Sequence, residues 1–289
     1  MTVLVTGAGG QLGVEVVRAV RAAGGEVVGL GHAELDLTDA VAVRATLEQE
    51  RPTLVVNAAA WTDVDGCEAD PDRAHLVNAA AVGELADACA DVGARLVHVS
   101  TDYVFDGRGI RGPDGRRRPY RPDDPVDPIN VYGASKAAGE VLVRDASVPH
   151  LVVRTAWVSG AAGRNFVTTM LRLADEGRPV RVVDDQVGSP TFARDLAAGL
   201  LALAGAGATG TFHLANDGAC SWFELARATF EDAGLEVELR PIPSSEFPRP
   251  AARPAWSVLD LEAAVAAGVP RPQPWRAGLR DLLVELGRR

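Results

Sequence analysis

A tyrosine and a lysine four residues apart, Tyr132 and Lys136, sit in the run Asn130-Val131-Tyr132-Gly133-Ala134-Ser135-Lys136. On a helix that spacing puts both on one face, about one turn apart. A phenol beside an ammonium is a candidate acid–base pair, because a nearby positive charge favours the phenolate and lowers a tyrosine pKa from its usual ~10 toward neutrality. Helices also carry Tyr and Lys at this spacing by chance. The catalytic reading therefore depends on the other parts such a pair needs.

The first of those parts stands at the start of the chain. Thr2 to Thr6 is a short apolar run, as expected of a buried parallel strand. It leads directly into Gly7-Ala8-Gly9-Gly10-Gln11-Leu12-Gly13 and then a helical pattern through Val14, Val17 and Val20. Strand, glycine turn and helix in that order make a dinucleotide site: the glycines permit a tight turn and close backbone approach, and the helix N-terminus offers N–H groups to a pyrophosphate. The spacing here is G-x-x-G-x-x-G. After the second strand, Glu26 to Leu30, come Gly31 and His32 in place of the Asp or Glu that usually holds an NAD ribose. That allows NADPH, but no Arg follows to bind a 2′-phosphate, so both NADH and NADPH stay open. Asp36 is placed to reach an adenine edge, and Asp39 or Thr38 to cap the next helix.

The third strand, Thr53 to Asn57, ends in Ala58-Ala59-Ala60-Trp61-Thr62, whose small residues let a flat cofactor lie close to the backbone or let a helix pack tightly. A helix follows from Pro71 to about Val92, carrying Asn78 on an apolar face. Asn78 either bonds active-site backbone or satisfies a kink. The fourth strand, Arg95 to Val99, delivers Ser100-Thr101-Asp102-Tyr103 at its carboxyl end, where an open parallel sheet binds ligands. Helix capping by Ser100 or Thr101 is the alternative. Residues 107–127 are rich in Pro, Arg and Asp and long enough for a binding loop or lid. After the fifth strand, Leu151 to Arg154, the alternation loosens. The expectation is an α/β protein with a Rossmann-type doubly wound parallel sheet and a smaller C-terminal α/β lobe. Residues 1–156 would form the nucleotide-binding domain, with further core elements from about 180–215, and 157–289 mainly the substrate lobe. Arg164, Arg181, Arg249 and Arg253 are candidate phosphate contacts or plain surface arginines.

Composition narrows the function. With 29 basic against 39 acidic residues and a net charge of −10, nucleic acid and anionic membranes are poor partners. No apolar run approaches the ~20 residues of a membrane span. Met1 enters a strand-like segment without a charged leader, so a cytoplasmic location is expected. Cys67, Cys89 and Cys220 lack zinc or disulfide spacing and read as small buried apolar residues. The acidic segment Asp63, Asp65, Glu68 and Asp70 has no ligand-spaced histidine and reads as a solvated loop and helix start.

With these residues together the chain resembles the extended short-chain dehydrogenase/reductases, and more narrowly the dTDP-4-dehydrorhamnose reductase family. The pieces are Gly10-Gln11-Leu12-Gly13, Val56-Asn57-Ala58-Ala59-Ala60, Ser100-Thr101-Asp102-Tyr103-Val104-Phe105, Tyr132 to Lys136, Arg154-Thr155-Ala156-Trp157-Val158, Gln186-Val187-Gly188-Ser189-Pro190-Thr191 and Arg253-Pro254-Ala255-Trp256-Ser257. They span nearly the whole chain. The resemblance implies reduction of the 4-keto group of a dTDP-6-deoxyhexulose to dTDP-L-rhamnose with hydride from NADH or NADPH. It implies Tyr132, Lys136 and Thr101 as the catalytic set. Gly7, Gly10, Gln11, Leu12, Gly13, Asp36, Leu37, Ala60, Trp61 and Thr62 would line the cofactor with Tyr132 and Lys136, and Thr101, Asp102, Trp157, Asn165 and Arg253 would meet the sugar nucleotide. A homodimer is compatible with the resemblance. Some relatives use an acidic residue after the P-T element for a magnesium-linked dimer; Arg194 stands there, which speaks against a metal. The loop with Arg116-Arg117-Arg118 is longer than the family's usual connection. Competing expectations are a reductase for a related deoxysugar, a cofactor-binding subunit of methionine adenosyltransferase, and an epimerase or dehydratase.

Overall fold

The computed structural model describes residues 2–288. β1 (Thr2–Thr6) is buried along most of its length and feeds α1 (Gln11–Ala22), which turns Leu12, Val16 and Val20 to the core at four-residue spacing. β2 (Glu26–Leu30) and α2 (Ala40–Glu50) follow, and the Asp39 carboxylate caps α2 by accepting from the Val41 and Ala42 amides, as its sequence position suggested. β3 (Leu54–Asn57) is buried on both faces. Short helices α3 (Val64–Ala69) and α4 (Pro71–His75) then lead through a π-helical turn, Leu76–Ala80, into α5 (Ala81–Val92). The expected single helix from Pro71 to Val92 is thus interrupted by that turn, which carries Asn78.

β4 (Arg95–Thr101) runs two residues beyond its expected end, so Thr101 closes the strand. A small hairpin, β5 (Ile110–Arg111) and β6 (Arg117–Arg118), precedes α6 (Val131–Asp145) and β7 (His150–Thr155). Beyond it come β8 (Val158–Ser159), α7 (Phe166–Asp175), β9 (Val180–Val183), β10 (Val187–Gly188), β11 (Thr191–Phe192), α8 (Ala193–Gly205) and β12 (Gly210–His213). The chain finishes with β13 (Cys220–Ser221), α9 (Trp222–Asp232), β14 (Leu239–Ile242), β15 (Trp256–Ser257), α10 (Glu262–Ala266) and α11 (Trp275–Glu285).

Six strands form one sheet in the order β12-β7-β4-β3-β1-β2, and every neighbouring pair is parallel. The chain leaves β1 to β2 on one side and β3 on the other, so the crevice beyond the carboxyl ends of β1 and β3 is the topological switch point where ligands bind in such sheets. One face of the sheet packs Val3, Val5, Val56 and Val97 against α1 and α8; the other packs Leu4, Val55 and Leu96 against α2, α5 and α6. Alternate residues along each strand therefore serve two cores, which is why the strands read as continuous apolar runs. A second set of small sheets, β13-β10-β15 and β14-β9, packs with α7, α9 and α11 around Val167, Leu225, Leu279 and Phe230.

Candidate active site

At the switch point the glycine turn fits a dinucleotide. Gly7 has φ of +67°, and a β-carbon there would stand 2.7 Å from the Ala59 amide nitrogen. Only glycine combines that backbone with that approach. Gly10 opens α1 with no side-chain cap, leaving helix N-terminal N–H groups unclaimed by side chains. Leu12 and Gly13 are buried, Gly13 against the Gly7 carbonyl. Gln11 does something that spacing did not reveal: its Oε1 accepts from the Gly160 amide (2.9 Å) and Asn165 Nδ2 (3.0 Å).

Several other expected cofactor residues have local duties. Asp36 folds its Oδ1 onto the amide and hydroxyl of Thr38, and those hydrogen bonds hold its carboxyl below the usual range. Leu37 is buried in the core, while Thr62 is exposed. Trp61 is held by Asn78, whose Oδ1 accepts from the Trp61 amide (2.8 Å) and whose Nδ2 donates to the Trp61 carbonyl (3.0 Å) and Ser135 Oγ (3.1 Å). Asn78 thus serves backbone beside the crevice while sitting in the π turn. The absence of a carboxylate at the end of β2 holds only in sequence. Glu34 curls back so that its Oε2 accepts from the Gly31 amide at 2.9 Å.

α6 carries the tyrosine and lysine, and its start is secured from three directions. Asn130 caps it by accepting from the Gly133 amide (2.8 Å) and donates to the Ala252 carbonyl (2.9 Å), and the Val131 amide donates to Glu68 (2.8 Å). Neither Asn130 nor Glu68 was expected at the site. Only the position of Asn130 just before an apolar helix could have signalled its cap. Tyr132 and Lys136 are both buried, and the Tyr132 ring stands edge-on to Tyr103 with centroids 5.6 Å apart.

The electrostatics differ from the expectation drawn from spacing. Burial pushes the Tyr132 phenol above its ordinary value, the Thr101 hydroxyl pulls it partway back, and the Asp102 charge raises it again. Lys136 does not bond the phenol; its Nζ donates to the Val99 carbonyl (2.8 Å) and lies 3.3 Å from His98 Nε2. Taking the amine out of water pushes Lys136 down to about 8. The expected lowering of the tyrosine pKa is therefore reversed in direction: desolvation dominates at the phenol, and only the Thr101 hydrogen bond opposes it. Thr101 Oγ1 donates to Asp102 Oδ1 (3.0 Å) and accepts from the Tyr103 amide (3.2 Å). Burial pushes Asp102 up to about 7, against hydrogen bonds from Ser257 and Thr101.

Tyr103 joins this group to a cavity of about 710 Å³ whose other lining residues all come from 166–253. Its wall holds Arg178, Arg181, Arg249 and Arg253, has no acidic residue, and is closed on its apolar side by Trp222, Phe166 and Tyr103. Three of the four arginines considered from sequence are there. Arg164 is exposed elsewhere, and Arg178 was missed because nothing local marks it. Arg253 donates to the Ala251 carbonyl (3.1 Å) and Asp65 (3.0 Å), and Arg249 also pairs with Asp65. Asp65 thus braces two cavity arginines, a role the reading of its segment as a solvated loop did not foresee. Trp157 has φ of +50°, a left-handed backbone that is rare for a bulky residue, and its ring stacks on Trp222 at 3.5 Å. Asn165 also has partners within the protein. Its Oδ1 caps α7 through the Thr168 amide (2.9 Å) and its Nδ2 reaches Gln11 and the Gly160 carbonyl (2.7 Å), so it ties α7 to the glycine turn.

The 107–127 segment is anchored rather than free. Tyr120 is buried, stacks on Phe105 at 4.2 Å, accepts at its hydroxyl from the Gly109 amide (2.7 Å) and bonds Asp106. Arg118 forks onto Asp124 at 2.7 Å, and Arg117 lies over the Trp256 ring. The three cysteines are buried and unpaired, with the Cys67 thiol pushed up to about 11 by burial.

A parallel doubly wound sheet with a glycine turn at its switch point, and a Tyr-x-x-x-Lys helix beside the strand bearing Thr101, is the arrangement of a Rossmann-type short-chain reductase. The comparisons narrow that class. The chain belongs to the RmlD substrate binding domain family, whose model matches residues 1–288. It is similar to dTDP-4-dehydrorhamnose reductase of Mycobacterium tuberculosis, with 46% identity over 283 residues that cover 97% of this chain and 91% of the relative. A dTDP-4-keto-6-deoxy-D-glucose reductase of Streptomyces niveus is 42% identical, covering 96% and 94%. Among solved structures, dTDP-4-dehydrorhamnose reductase of Bacillus anthracis in complex with NADP superposes with a TM-score of 0.92 at 37% identity, covering 98% of this chain and 99% of that one.

Proposed function

We propose that this chain is an NAD(P)H-dependent reductase that converts the 4-keto group of dTDP-4-dehydro-6-deoxy-L-mannose to the alcohol of dTDP-L-rhamnose, the last step of dTDP-rhamnose synthesis. The observation that carries the reading is the hydrogen bond between Thr101, at the carboxyl end of β4, and Tyr132, with Tyr103 edge-on to Tyr132 and in the wall of the four-arginine cavity. The wall of that cavity suits a nucleoside diphosphate: guanidinium groups match phosphate oxygens, and the aromatic side suits a base.

The glycine turn, with a cradle at Gly7 that a β-carbon would fill, fits the pyrophosphate of NAD(P)H, and Gly10, Gln11, Leu12, Ala60 and Trp61 would line the site. A bound NAD(P)H supplies the hydride. Tyr132, kept protonated by burial, donates its proton to the ketone oxygen as charge develops there. Thr101 donates a second hydrogen bond to that oxygen. Its hydroxyl proton points to Asp102, so a protonated Asp102, in reach near neutrality, can donate instead and free Thr101 for the ketone. Lys136 would hold the nicotinamide ribose and set the charge beside Tyr132. Trp157 and Arg253 meet the sugar nucleotide, while Asn165 acts through Gln11. We divide the chain into a nucleotide-binding domain, 1–156 with elements near 180–215, and a sugar-nucleotide lobe made mainly of 157–289. A cytoplasmic homodimer is the proposed state; no helix among the described residues is long and apolar enough to cross a membrane.

A second reading, reduction of a related dTDP-4-keto-6-deoxyhexose, is favoured by the Streptomyces niveus relative. A product-identified assay with several dTDP-4-keto sugars and each cofactor separates the two. The main reading expects dTDP-L-rhamnose as the preferred product, and Tyr132→Phe lowers kcat by about 10²–10⁴ while cofactor binding persists. A folded, NADPH-binding protein that turns over none of these sugars would sink both.

A further inference from the structure

Asp65 stands on α3, behind the arginine wall of the cavity rather than in it. Its carboxylate is filled. Oδ2 accepts from Nε of Arg249 at 2.9 Å and from Nη2 of the same guanidinium, while Oδ1 accepts from Nη2 of Arg253 at 3.0 Å and from the Ala251 amide at 3.2 Å. Burial would raise its pKa, but the hydrogen bonds from Arg249 and Ala251 and the charges of both arginines hold it below the usual carboxylate range. Asp65 is therefore an anion at neutral pH.

The partners lie 184 and 188 residues further along the chain, so this one side chain ties the cavity wall to the element that follows β3. α3 is itself tied to the catalytic helix, because Glu68 accepts from the Val131 amide at 2.8 Å. Asn130, the cap of that helix, donates to the Ala252 carbonyl at 2.9 Å. The segment bearing Arg249 and Arg253 is thus held in a fixed relation to Tyr132. The other two cavity arginines are held less firmly. Arg178 pairs with Glu176 and Arg181 with Glu246, and every side chain in those pairs is more than a third exposed, against 17% for Asp65. Exposed pairs of that kind constrain geometry little.

The bonds to Asp65 leave a face of each guanidinium for a ligand. Nη1 of Arg253 donates to the Ala251 carbonyl at 3.1 Å, but Nε of Arg253 and Nη1 of Arg249 have no hydrogen-bond partner among the described residues. Planar guanidinium groups with donors to spare suit phosphate oxygens.

Two opposing effects decide what the carboxylate does for an anionic ligand. Its charge repels phosphate. Its bridge between two like charges stops the arginines from repelling each other, and it fixes their rotamers before the ligand arrives. The repulsion acts from behind the guanidinium groups and is already neutralised by them, whereas the ordering lowers the entropic cost of binding directly. Ordering wins.

We infer that Asp65 is a positioning residue for the diphosphate of the sugar nucleotide: it presents Arg249 and Arg253 together and sets their place relative to Tyr132. This rests on the proposed substrate being a nucleoside diphosphate sugar bound in the cavity.

Calorimetric titration of the full chain with thymidine diphosphate tests it. Asp65→Asn removes the charge, and Asp65→Glu keeps the charge but carries it one carbon further out. Both are expected to weaken binding by about tenfold, from two arginines left free to move. The KM for the 4-keto sugar nucleotide should rise by a similar factor, while the KM for NADPH does not follow it. In an Arg249→Gln, Arg253→Gln background, Asp65→Asn should change diphosphate affinity by less than about twofold, since its partners are gone. A structural fault elsewhere would keep the whole loss in that background, and that result overturns the inference. So does binding as tight as wild type, or tighter, in folded Asp65→Asn or Asp65→Glu. If Asp65→Asn does not melt cooperatively, Asp65→Glu takes its place throughout. Wild-type protein that binds no thymidine diphosphate overturns the proposed substrate and this inference with it, whereas wild-type binding with unaffected variants overturns the inference alone.

Discussion

Gly133 packs against Tyr103 so closely that a β-carbon on it would stand 2.1 Å from the Tyr103 carbonyl oxygen. That approach seats α6 on the turn after β4 and brings Tyr132 to Thr101. A methyl at this position must push the helix away, because the clash is with backbone. Gly133→Ala is expected to lower kcat by about 10²-fold, the scale of a misplacement near 1 Å, and to reduce the melting temperature, while cofactor binding at the glycine turn stays close to wild type. Steady-state kinetics with calorimetry test this. A folded variant with wild-type kcat would show that the helix yields without cost.

Glu34 is expected to bias the cofactor preference by its place in space. Its carboxylate folds over the Gly31 amide at the end of β2, where a ribose-bound phosphate approaches in this class of fold. Like charges repel, so the wild-type carboxylate is expected to disfavour NADPH relative to NADH. Glu34→Gln keeps the size and removes the charge. The ratio of kcat/KM for NADPH over NADH is expected to rise by about tenfold, a difference of ~1.4 kcal/mol. An unchanged ratio would place the discrimination elsewhere.

The buried pair of Glu140 and Arg154 is costly to break on one side. Both side chains are at most 3% exposed, and two hydrogen bonds join them. Arg154→Met leaves the carboxylate buried with only Arg144, and the expected loss is about 3–5 kcal/mol. Urea unfolding should show a lower midpoint with an unchanged slope. Adding Glu140→Gln to that variant should recover part of the loss, since the stranded charge disappears.

Acid destabilisation should carry a histidine component. His213 is buried, bonds the Tyr120 carbonyl, and is pushed down to about 3 by burial and then Arg154. Its folded pKa lies below the unfolded value, so its stabilising share is complete above about 6.5 and is lost as pH falls toward the folded pKa. Asp102, raised to about 7, has the opposite sign and adds stability as pH falls through the same window. Urea midpoints between about pH 7 and pH 4 should therefore fall less steeply in His213→Gln than in wild type. Equal slopes would remove His213 from the acid response.

The segments that read correctly from sequence are those whose meaning is local. The apolar runs became parallel strands buried on both faces, Asp39 became a cap, and Thr101 emerged at a strand's carboxyl end. Those outcomes depend on neighbours within a few residues. The tie between Gln11 and Asn165 was not legible for the reverse reason, since the two partners lie 154 residues apart.

Chain order by itself determined that this protein has a dinucleotide-type strand, turn and helix, and a Tyr132–Lys136 pair one turn apart on a single face. Helical geometry and steric rules at glycine operate over short spans, so type and spacing suffice for them. Tertiary structure alone decided what the pair's charges are. Burial raises the phenol and lowers the amine, and the histidine opposite Lys136 comes from a strand 38 residues earlier. Desolvation and hydrogen-bond direction depend on which atoms surround a group in space, and no local pattern encodes that.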